Sequence, residues 1–339
     1  MYPYLNNQSQ MRQFIKDNGG RVRFDKFAQE HMLGKTGFYS TVVDMNKRPH
    51  DVVTPSIYSP DYLKLVSLFV AVNVVWLFKD FKRPGHKITF AEIGGGNGNF
   101  KREFIEHWNA FMQDGLPFPL EYISVEPNPN HRQYQSEYGK TVIDGTAQKT
   151  GLGEGSVDVL FDDEVMDCLP VRVFKVNGGQ KIVKEAFVKA TGDGLSIVFD
   201  AVEWDGQVEW YNRVLSQLKY RDGESLCYSD HLNQYWKESF RVLNDYGIRI
   251  SLDYHSGLFP IRIEEGCNAL VRPYEVDLTH FVNFDLHQLL AEDHTFRTIV
   301  NGNLMQTMRQ QMGPMMGGKI NVPAETMGRS VLIETMRED

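Results

Sequence analysis

The sequence predicts an α/β protein built on a doubly wound, mostly parallel sheet. Strand-like and helix-like segments alternate from Lys87 to Phe161, a pattern typical of parallel strands joined by helices on both faces of a sheet. A glycine-rich turn, Gly94–Gly98, lies between the first of these strands and the helix that follows it. Acidic residues follow the ends of successive strands, which is where open α/β sheets bind their ligands.

The core elements can be placed in chain order from apolar alternation and helical spacing. They are a strand Lys87–Ile93, a helix Asn97–Met112, a strand Leu120–Val125, a helix Pro129–Tyr138, and strands Thr141–Ile143 and Val157–Phe161. A hairpin is predicted around Asn177-Gly178-Gly179. Later elements are an aromatic-rich insertion over Asp200–Tyr228, a helix Asp230–Leu243 capped by Ser229, and a strand Ile248–Leu252, with mixed helix and irregular chain from Glu275.

Residues 1–85 are predicted to form a mainly helical N-terminal section on the substrate side, with an irregular loop over Met45–Pro60. Residues 86–339 are predicted to form the ligand-binding domain, with an insertion at about 177–228. The longest apolar run, Leu65–Phe78, has 14 residues. A membrane span needs about 20 residues, so this run predicts a buried helix.

Composition excludes several classes of protein. Lys plus Arg number 36 and Asp plus Glu number 44, a net charge of −8, whereas binding to nucleic acid phosphates needs a basic surface. Three scattered cysteines, Cys168, Cys227 and Cys267, contain no C-x-x-C pair and predict neither a disulfide framework nor a zinc site. We therefore expect no nucleic-acid partner, no membrane span and no metal.

The turn after the first strand reads Glu92-Ile93-Gly94-Gly95-Gly96-Asn97-Gly98. Glycines permit a tight turn and close approach of a ligand, and the helix start offers free N–H groups to a carboxylate or phosphate. A dinucleotide-binding G-x-G-x-x-G turn would need glycine at position 99, where Asn99 stands. The E-x-G-x-G-x-G pattern instead resembles motif I of class I S-adenosylmethionine (SAM) methyltransferases. In that group the acidic residue, here Glu92, contacts the amino acid end of the cofactor.

Two further strand ends suit an adenosyl group. The second strand ends Val125-Glu126-Pro127, and a carboxylate there can accept hydrogen bonds from both ribose hydroxyls. The third ends Asp144-Gly145-Thr146, a loop that borders the adenine in the same architecture, so Asp144 is a candidate acceptor for the adenine amino group. The alternatives are a solvated loop residue for Glu126 and a simple turn aspartate for Asp144.

The fourth strand ends in the acidic run Asp162-Asp163-Glu164. Adjacent carboxylates repel one another, so they are expected to face a cation, a hydroxyl network or solvent, or to begin a helix. With this run, the chain resembles the MidA-like methyltransferases, which include a mitochondrial arginine methyltransferase that assists respiratory complex I assembly. The resemblance is carried by Glu92–Gly98, Val125–Gln135, Asp163–Phe174 and Glu275–Phe284, and more weakly by Gly37–Ser40, Val53–Pro55 and Asp253-Tyr254.

The resemblance implies a Rossmann-like class I SAM methyltransferase with a seven-stranded sheet, acting on a protein arginine. It implies that SAM contacts come from Glu92, Gly94, Gly95, Gly96, Gly98, Glu126, Pro127, Asp144, Gly145, Thr146 and Asp162. Methyl transfer is an in-line displacement that needs alignment and exclusion of water. Glu164 with Asp163 is predicted to hold the acceptor guanidinium bidentately. His255 and His280 are candidate proton acceptors, and the predicted substrate contacts are Tyr39, Tyr58, Asp253 and His280.

Departures from the family pattern lie mainly on the substrate side. Asp163 stands where the family has Asn, Ser56 where it has Glu, and His255 where it has Gly, and Thr279-His280 is followed by an extra Phe281. A small-molecule O- or N-methyltransferase and a non-catalytic assembly factor that keeps the SAM fold are therefore the alternatives. We expect a protein or small-molecule acceptor, allow a homodimer, and expect a cytoplasmic location in a bacterium or the mitochondrial matrix in a eukaryote.

Overall fold

A computed structural model of the 339-residue chain describes residues 3–41, 60–79, 85–138, 141–177, 181–192, 194–215, 225–254, 270, 282, 296–312 and 329–336. The chain divides into two compact units. The first takes residues from 1–41, 166–233 and 256–282, and the second takes residues from 42–165, 234–255 and 283–339. The predicted N-terminal section over residues 1–85 and the predicted insertion at about 177–228 stay predictions.

The elements are numbered in chain order. The helices are α1 (Pro3–Asp17), α2 (Phe24–Leu33), α3 (Phe38–Thr41), α4 (Pro60–Phe78), α5 (Asn99–Gln113), α6 (Pro129–Ser136), α7 (Gly206–Leu215), α8 (Asp230–Val242) and α9 (Leu304–Met312). The strands are β1 (Arg21–Arg23), β2 (Ile88–Ile93), β3 (Leu120–Val125), β4 (Thr141–Ile143), β5 (Val157–Asp163), β6 (Arg172–Val176), β7 (Ile182–Thr191), β8 (Gly194–Asp200), β9 (Ser225–Tyr228), β10 (Leu243–Tyr254), β11 (Phe296–Asn303) and β12 (Arg329–Met336).

In the second unit, the described residues form a seven-stranded sheet in the order β11-β12-β10-β5-β2-β3-β4. The five strands from β10 to β4 run parallel, while β12 is antiparallel to both β10 and β11. The predicted fold class is confirmed. The prediction of helix and irregular chain from Glu275 missed β11 and β12, because their cross-strand pairing is a long-range property.

The central strands of this sheet are buried on both faces. All residues of β5 from Val157 to Asp162 are buried, as expected for parallel strands covered by helices. Side chains alternate between the faces. Phe90, Phe161 and Ile250 belong to one core with α4, α5 and α9, whereas Asp162 and Arg249 contact Tyr235 of α8 on the opposite face.

Helix α4 is the central packing helix of that core. It has 19 residues, and by length and composition it could cross a membrane. However, 67% of its most apolar window is buried within the structure, as in the core helix of many globular proteins. The predicted buried helix over Leu65–Phe78 is confirmed.

The first unit contains a second sheet of five described strands, in the order β1-β7-β6-β9 with β8 on β7. The prediction that residues 1–85 are mainly helical missed β1, a three-residue strand that pairs with β7 far along the chain. Strands β6 and β7, which flank the predicted hairpin turn, pair antiparallel, and residues 178–180 of that turn lie outside the described residues. Ser229 caps α8 as predicted, because its Oγ accepts the N–H of Leu232 at 3.1 Å.

Candidate cofactor and active site

The glycine turn joins β2 to α5 with left-handed backbone. Gly94 has φ +68° and Gly98, at the start of α5, has φ +75°, conformations that favour glycine. The Gly94 N–H donates to the Val125 carbonyl at 2.8 Å, so the turn lies beside the end of β3. A Cβ on Gly95 would lie 2.4 Å from the Glu92 Oε2, which explains the need for glycine there as well.

Glu126, at the end of β3, lies directly against this turn. Its Oε2 accepts the Gly96 N–H at 3.1 Å and its Oε1 accepts the Asn128 N–H at 2.9 Å. The side chain is buried. The structure therefore brings together the turn and the carboxylate that the sequence predicted to bind one ligand.

Glu92 is buried at the end of β2. The Tyr122 hydroxyl donates to its Oε2 at 2.9 Å. Burial raises the pKa of Glu92 to about 7, against the opposing effects of the Tyr122 hydrogen bond and the Lys101 charge. A carboxyl group whose pKa is near 7 can accept a hydrogen bond from an ammonium group when it is ionised and can donate a hydrogen bond when it is protonated.

Asn97 is a candidate residue that sequence reasoning missed. Both polar atoms of its side-chain amide are buried without a hydrogen-bond partner among the described residues. Buried amides are normally paired, so an unpaired one in the glycine turn fits a polar ligand bound there. Its only sequence signal is its position between Gly96 and Gly98.

The loop after β4 is held by Arg132. Its Nη1 donates to the Asp144 Oδ1 at 2.9 Å and to the Pro127 carbonyl at 2.7 Å. A Cβ on Gly145 would lie 2.4 Å from the Thr150 carbonyl, and Thr146 forms a tight turn with Lys149. The contacts predicted for Pro127, Asp144, Gly145 and Thr146 with the adenosyl group stay predictions, with Asp144 already ion-paired.

Asp162 lies within the sheet rather than at its surface. Its Oδ2 accepts hydrogen bonds from the Tyr235 hydroxyl at 2.7 Å and the Ser251 hydroxyl at 2.6 Å, and lies 3.5 Å from the Arg249 Nη2. These partners are all fully buried. The cofactor contact predicted for Asp162 stays a prediction, and the structure assigns its Oδ2 to an internal network.

Asp163 and Glu164 meet a guanidinium, and it is the chain's own. Arg329, fully buried at the start of β12, donates from Nη2 to the Asp163 Oδ1, and the same Nη2 lies 3.2 Å from the Glu164 Oε1. Its Nη1 donates to the Tyr62 hydroxyl. The two carboxylates thus contact a guanidinium within the chain, while their predicted role toward a substrate stays a prediction.

The remaining predicted substrate contacts are placed only in part. In the first unit, the Tyr39 hydroxyl lies 2.8 Å from the Cys168 Sγ. In the second unit, Asp253 is fully buried and its Oδ1 accepts the Tyr254 N–H at 2.7 Å. His255, Tyr58 and His280 lie outside the described residues.

A mostly parallel seven-stranded sheet with a glycine turn after one strand and a buried acidic residue at the end of the next defines a class I SAM methyltransferase. Comparison with known proteins agrees. The model of a family described as "Putative S-adenosyl-L-methionine-dependent methyltransferase" matches residues 69–300, and the chain belongs to this family. No curated protein matches the sequence.

Two solved structures share the fold over almost the whole chain. One is a COG1565 superfamily member from Burkholderia thailandensis bound to S-adenosyl-homocysteine, with 15% identity, a TM-score of 0.72, and coverage of 99% of this chain and 94% of that chain. Another protein of that superfamily and organism has 15% identity, a TM-score of 0.69 and the same coverage. The enzyme is a SAM-dependent methyltransferase and SAM is its cofactor.

Proposed function

We propose that this enzyme transfers the methyl group of SAM to a nitrogen atom of an arginine side chain in a protein. One observation carries the proposal: at the end of β5, near the glycine turn, the carboxylates of Asp163 and Glu164 lie against a guanidinium, that of Arg329. Carboxylates bind guanidinium groups through short, charge-assisted hydrogen bonds. This edge of the sheet therefore has the chemistry that holds a cationic acceptor next to the cofactor.

The end of β5 also lies close to the cofactor turn. A Cβ on Gly94 would lie 2.8 Å from the Cγ2 of Val165, the residue after Glu164. SAM supplies an electrophilic methyl group on its sulfonium when bound. Within this proposal, Glu126, Glu92 and Asn97 hold the cofactor at the glycine turn. Glu164 orients the acceptor guanidinium by accepting a hydrogen bond from it. As the nitrogen–methyl bond forms, the methyl–sulfur bond breaks, S-adenosyl-homocysteine leaves, and the proton displaced from that nitrogen passes to solvent.

A second candidate is methylation of an uncharged small molecule at oxygen or nitrogen. The same cluster favours it, because Arg329 already supplies a positive charge to the two carboxylates. An uncharged acceptor would then need no positive charge to enter this region. The two candidates differ in whether acceptor recognition depends on the charge of Glu164.

In the experiment, the enzyme and methyl-labelled SAM are incubated with a protein extract and, separately, with a small-molecule extract. Both extracts come from cells that lack the enzyme. Mass spectrometry of digested protein and of metabolites locates the label. The proposal expects label on the terminal nitrogens of arginine in protein, strongly reduced with a Glu164→Gln enzyme and kept with Glu121→Gln, a matched change at a half-buried strand residue. Label confined to small molecules would overturn it and support the second candidate.

A further inference from the structure

Lys101, the third residue of α5, is fully buried. A lysine is almost never fully buried without partners, and the first turn of a helix is where the dipole disfavours a cation. Its Nζ donates to the Gln135 carbonyl at 3.2 Å and lies 5.5 Å from the centre of the Tyr122 ring, within range of attraction between a cation and an aromatic face. The fold therefore holds a positive charge just after the glycine turn, in a position that helix stability alone does not explain.

Tyr122 lies between this lysine and a buried carboxyl group. The ring of Tyr122 faces the Lys101 Nζ, and its hydroxyl donates to the Glu92 Oε2 at 2.9 Å. The three side chains come from α5, β3 and β2, and all three are buried. Three neighbouring elements thus bring a lysine, a phenol and a carboxyl group together behind the glycine turn.

The ionisation of Glu92 depends on these neighbours. Burial is the largest influence and raises the pKa of Glu92 to about 7, while the Tyr122 hydrogen bond and the Lys101 charge lower it. The carboxylates of Glu126 and Asp163 act in the opposite direction and raise the same pKa. The influence is mutual, because burial lowers the pKa of Lys101 and the charge of Glu92 raises it.

The carboxyl group of Glu92 lies directly against the glycine turn, since a Cβ on Gly95 would lie 2.9 Å from its Oε1. The turn is also tied to the lysine by a second route, because the Gln135 Nε2 donates to the Gly96 carbonyl at 2.7 Å. The amino acid end of SAM carries an ammonium group. An ionised carboxylate binds such a group through strong, charge-assisted hydrogen bonds, whereas a protonated carboxyl offers it no negative charge.

We propose that Lys101 is a positioning residue for the cofactor: together with Tyr122 it keeps the Glu92 carboxyl ionised, and the ionised carboxylate receives the ammonium group of SAM. The inference rests on the part of the proposed function that puts the cofactor at the glycine turn, and it is independent of the acceptor. Its consequence is a cofactor affinity that rises with pH as Glu92 loses its proton, and a steeper loss at low pH when Lys101 is removed.

The test compares two ligands, S-adenosyl-homocysteine and 5′-methylthioadenosine, which has the adenosine and the sulfur but no ammonium group. In calorimetry at pH 6.5, Lys101→Met should bind S-adenosyl-homocysteine about five- to tenfold more weakly than the starting enzyme, because each added pKa unit lowers the ionised fraction of Glu92 by up to about tenfold. At about pH 8.5 Glu92 is largely ionised in both proteins, and the variant should bind no more than about twofold more weakly. The affinity for 5′-methylthioadenosine should not change.

Three further variants separate the charge from the packing. Lys101→Arg keeps the charge and should bind S-adenosyl-homocysteine more tightly than Lys101→Met at pH 6.5. Tyr122→Phe keeps the ring but loses the hydrogen bond to Glu92, so it should show the same loss at low pH, and it tests the inference even if Lys101→Met does not fold. Lys87→Met is the matched control at an exposed lysine and should leave both affinities unchanged.

Glu92→Gln completes the cycle. It should bind S-adenosyl-homocysteine weakly at every pH, and adding Lys101→Met to it should have no further effect, because no carboxyl group remains to be ionised. An equal loss of both ligands in Lys101→Met, a loss that persists at pH 8.5, or no loss at pH 6.5 would overturn the inference. Methyl label found only on small molecules would defeat the proposed function instead and leave this inference standing.

Discussion

Two buried arginines hold consecutive aspartates of β5 from opposite faces of one sheet. The Arg249 Nη2 lies 3.5 Å from the Asp162 Oδ2. The Arg249 guanidinium lies over Trp236, with its Cζ 3.9 Å from the ring centre. Arg329 hydrogen-bonds Asp163 but also reaches Glu164, whose backbone is strained. Both arginines are fully buried. Both pairs lie against aromatic rings and hydroxyls, but only the pair on the α4 face has a second carboxylate, Glu164, within 4 Å of its arginine among the described residues.

The difference teaches how to separate a structural ion pair from one at a working site. On the α8 face, the Asp162 Oδ2 accepts hydrogen bonds from the hydroxyls of Tyr235 and Ser251, so this carboxylate is held by the fold itself. The cluster on the α4 face includes the left-handed backbone of Glu164 and lies where the parallel strands end. Changes on the α8 face should therefore alter stability, and changes on the α4 face should alter turnover.

The largest expected effect concerns the cofactor site rather than either arginine cluster. Gly96→Val should abolish binding of S-adenosyl-homocysteine in calorimetry, because Gly96 has φ +51° and a side chain there would occupy space that the cofactor needs. Gly155→Val is the matched control, since Gly155 has φ +60° and open space around its Cβ position. Unchanged affinity in Gly96→Val would refute the assignment of the glycine turn as the cofactor site.

Arg249→Met should destabilise the protein by about 3–5 kcal/mol, because removing one partner of a buried ion pair leaves Asp162 uncompensated. Urea unfolding measures this loss. The affinity for S-adenosyl-homocysteine of the folded variant should be unchanged. A fall in affinity matching that of a cofactor-site variant would remove the distinction between the two faces.

Glu334 makes the cluster on the α8 face sensitive to pH. Its carboxylate oxygens are buried without hydrogen-bond partners among the described residues, and burial raises its pKa from 4.5 to about 8, opposed by Arg249 and reinforced by Asp162. Below pH 4.5 the carboxyl is protonated in both folded and unfolded chains. Between 4.5 and about 8 only the unfolded chain loses the proton, so this contribution to stability falls as the pH rises and is lost above about pH 8.

Glu334→Gln should therefore flatten the pH dependence of stability. The starting enzyme should lose up to about 4 kcal/mol more than the variant between pH 5 and pH 9, at about 1.4 kcal/mol per pKa unit. Chemical denaturation at a series of pH values measures the difference, with Glu121→Gln as a control at a half-buried residue of β3. Parallel curves for the starting enzyme and Glu334→Gln would show that this carboxyl does not titrate as proposed.

Glu164→Gln has the smallest expected effect and sharpens the comparison most. Turnover should fall by about tenfold to a hundredfold, because the variant keeps the shape of the side chain but loses the charge that faces the acceptor. S-adenosyl-homocysteine affinity should change far less. Equal losses in turnover and in affinity would indicate that Glu164 is structural.

Much of the cofactor region could be predicted because its signals are local. The strands that end at Ile93, Val125 and Ile143 were predicted with those ends, and each end carries its own glycine or acidic residue. Asn97 was not predicted because the observation that marks it is a buried, unpaired amide among the described residues. Residue spacing along the chain does not reveal burial or hydrogen bonding. The antiparallel strands β11 and β12 escaped for a related reason, since their apolar patterns do not reveal their partners.

Between Lys87 and Phe161, the order of strands, helices and glycine turn is determined by the sequence alone, because hydrophobic periodicity and turn residues act over a few neighbouring positions. The tertiary structure decided which charges meet. Arg329 and Asp163 are separated by 166 positions, and Arg329 and Tyr62 by 267. They meet because β12 runs back along β10 in one particular register, and that register is a property of the packed sheet rather than of any segment within it.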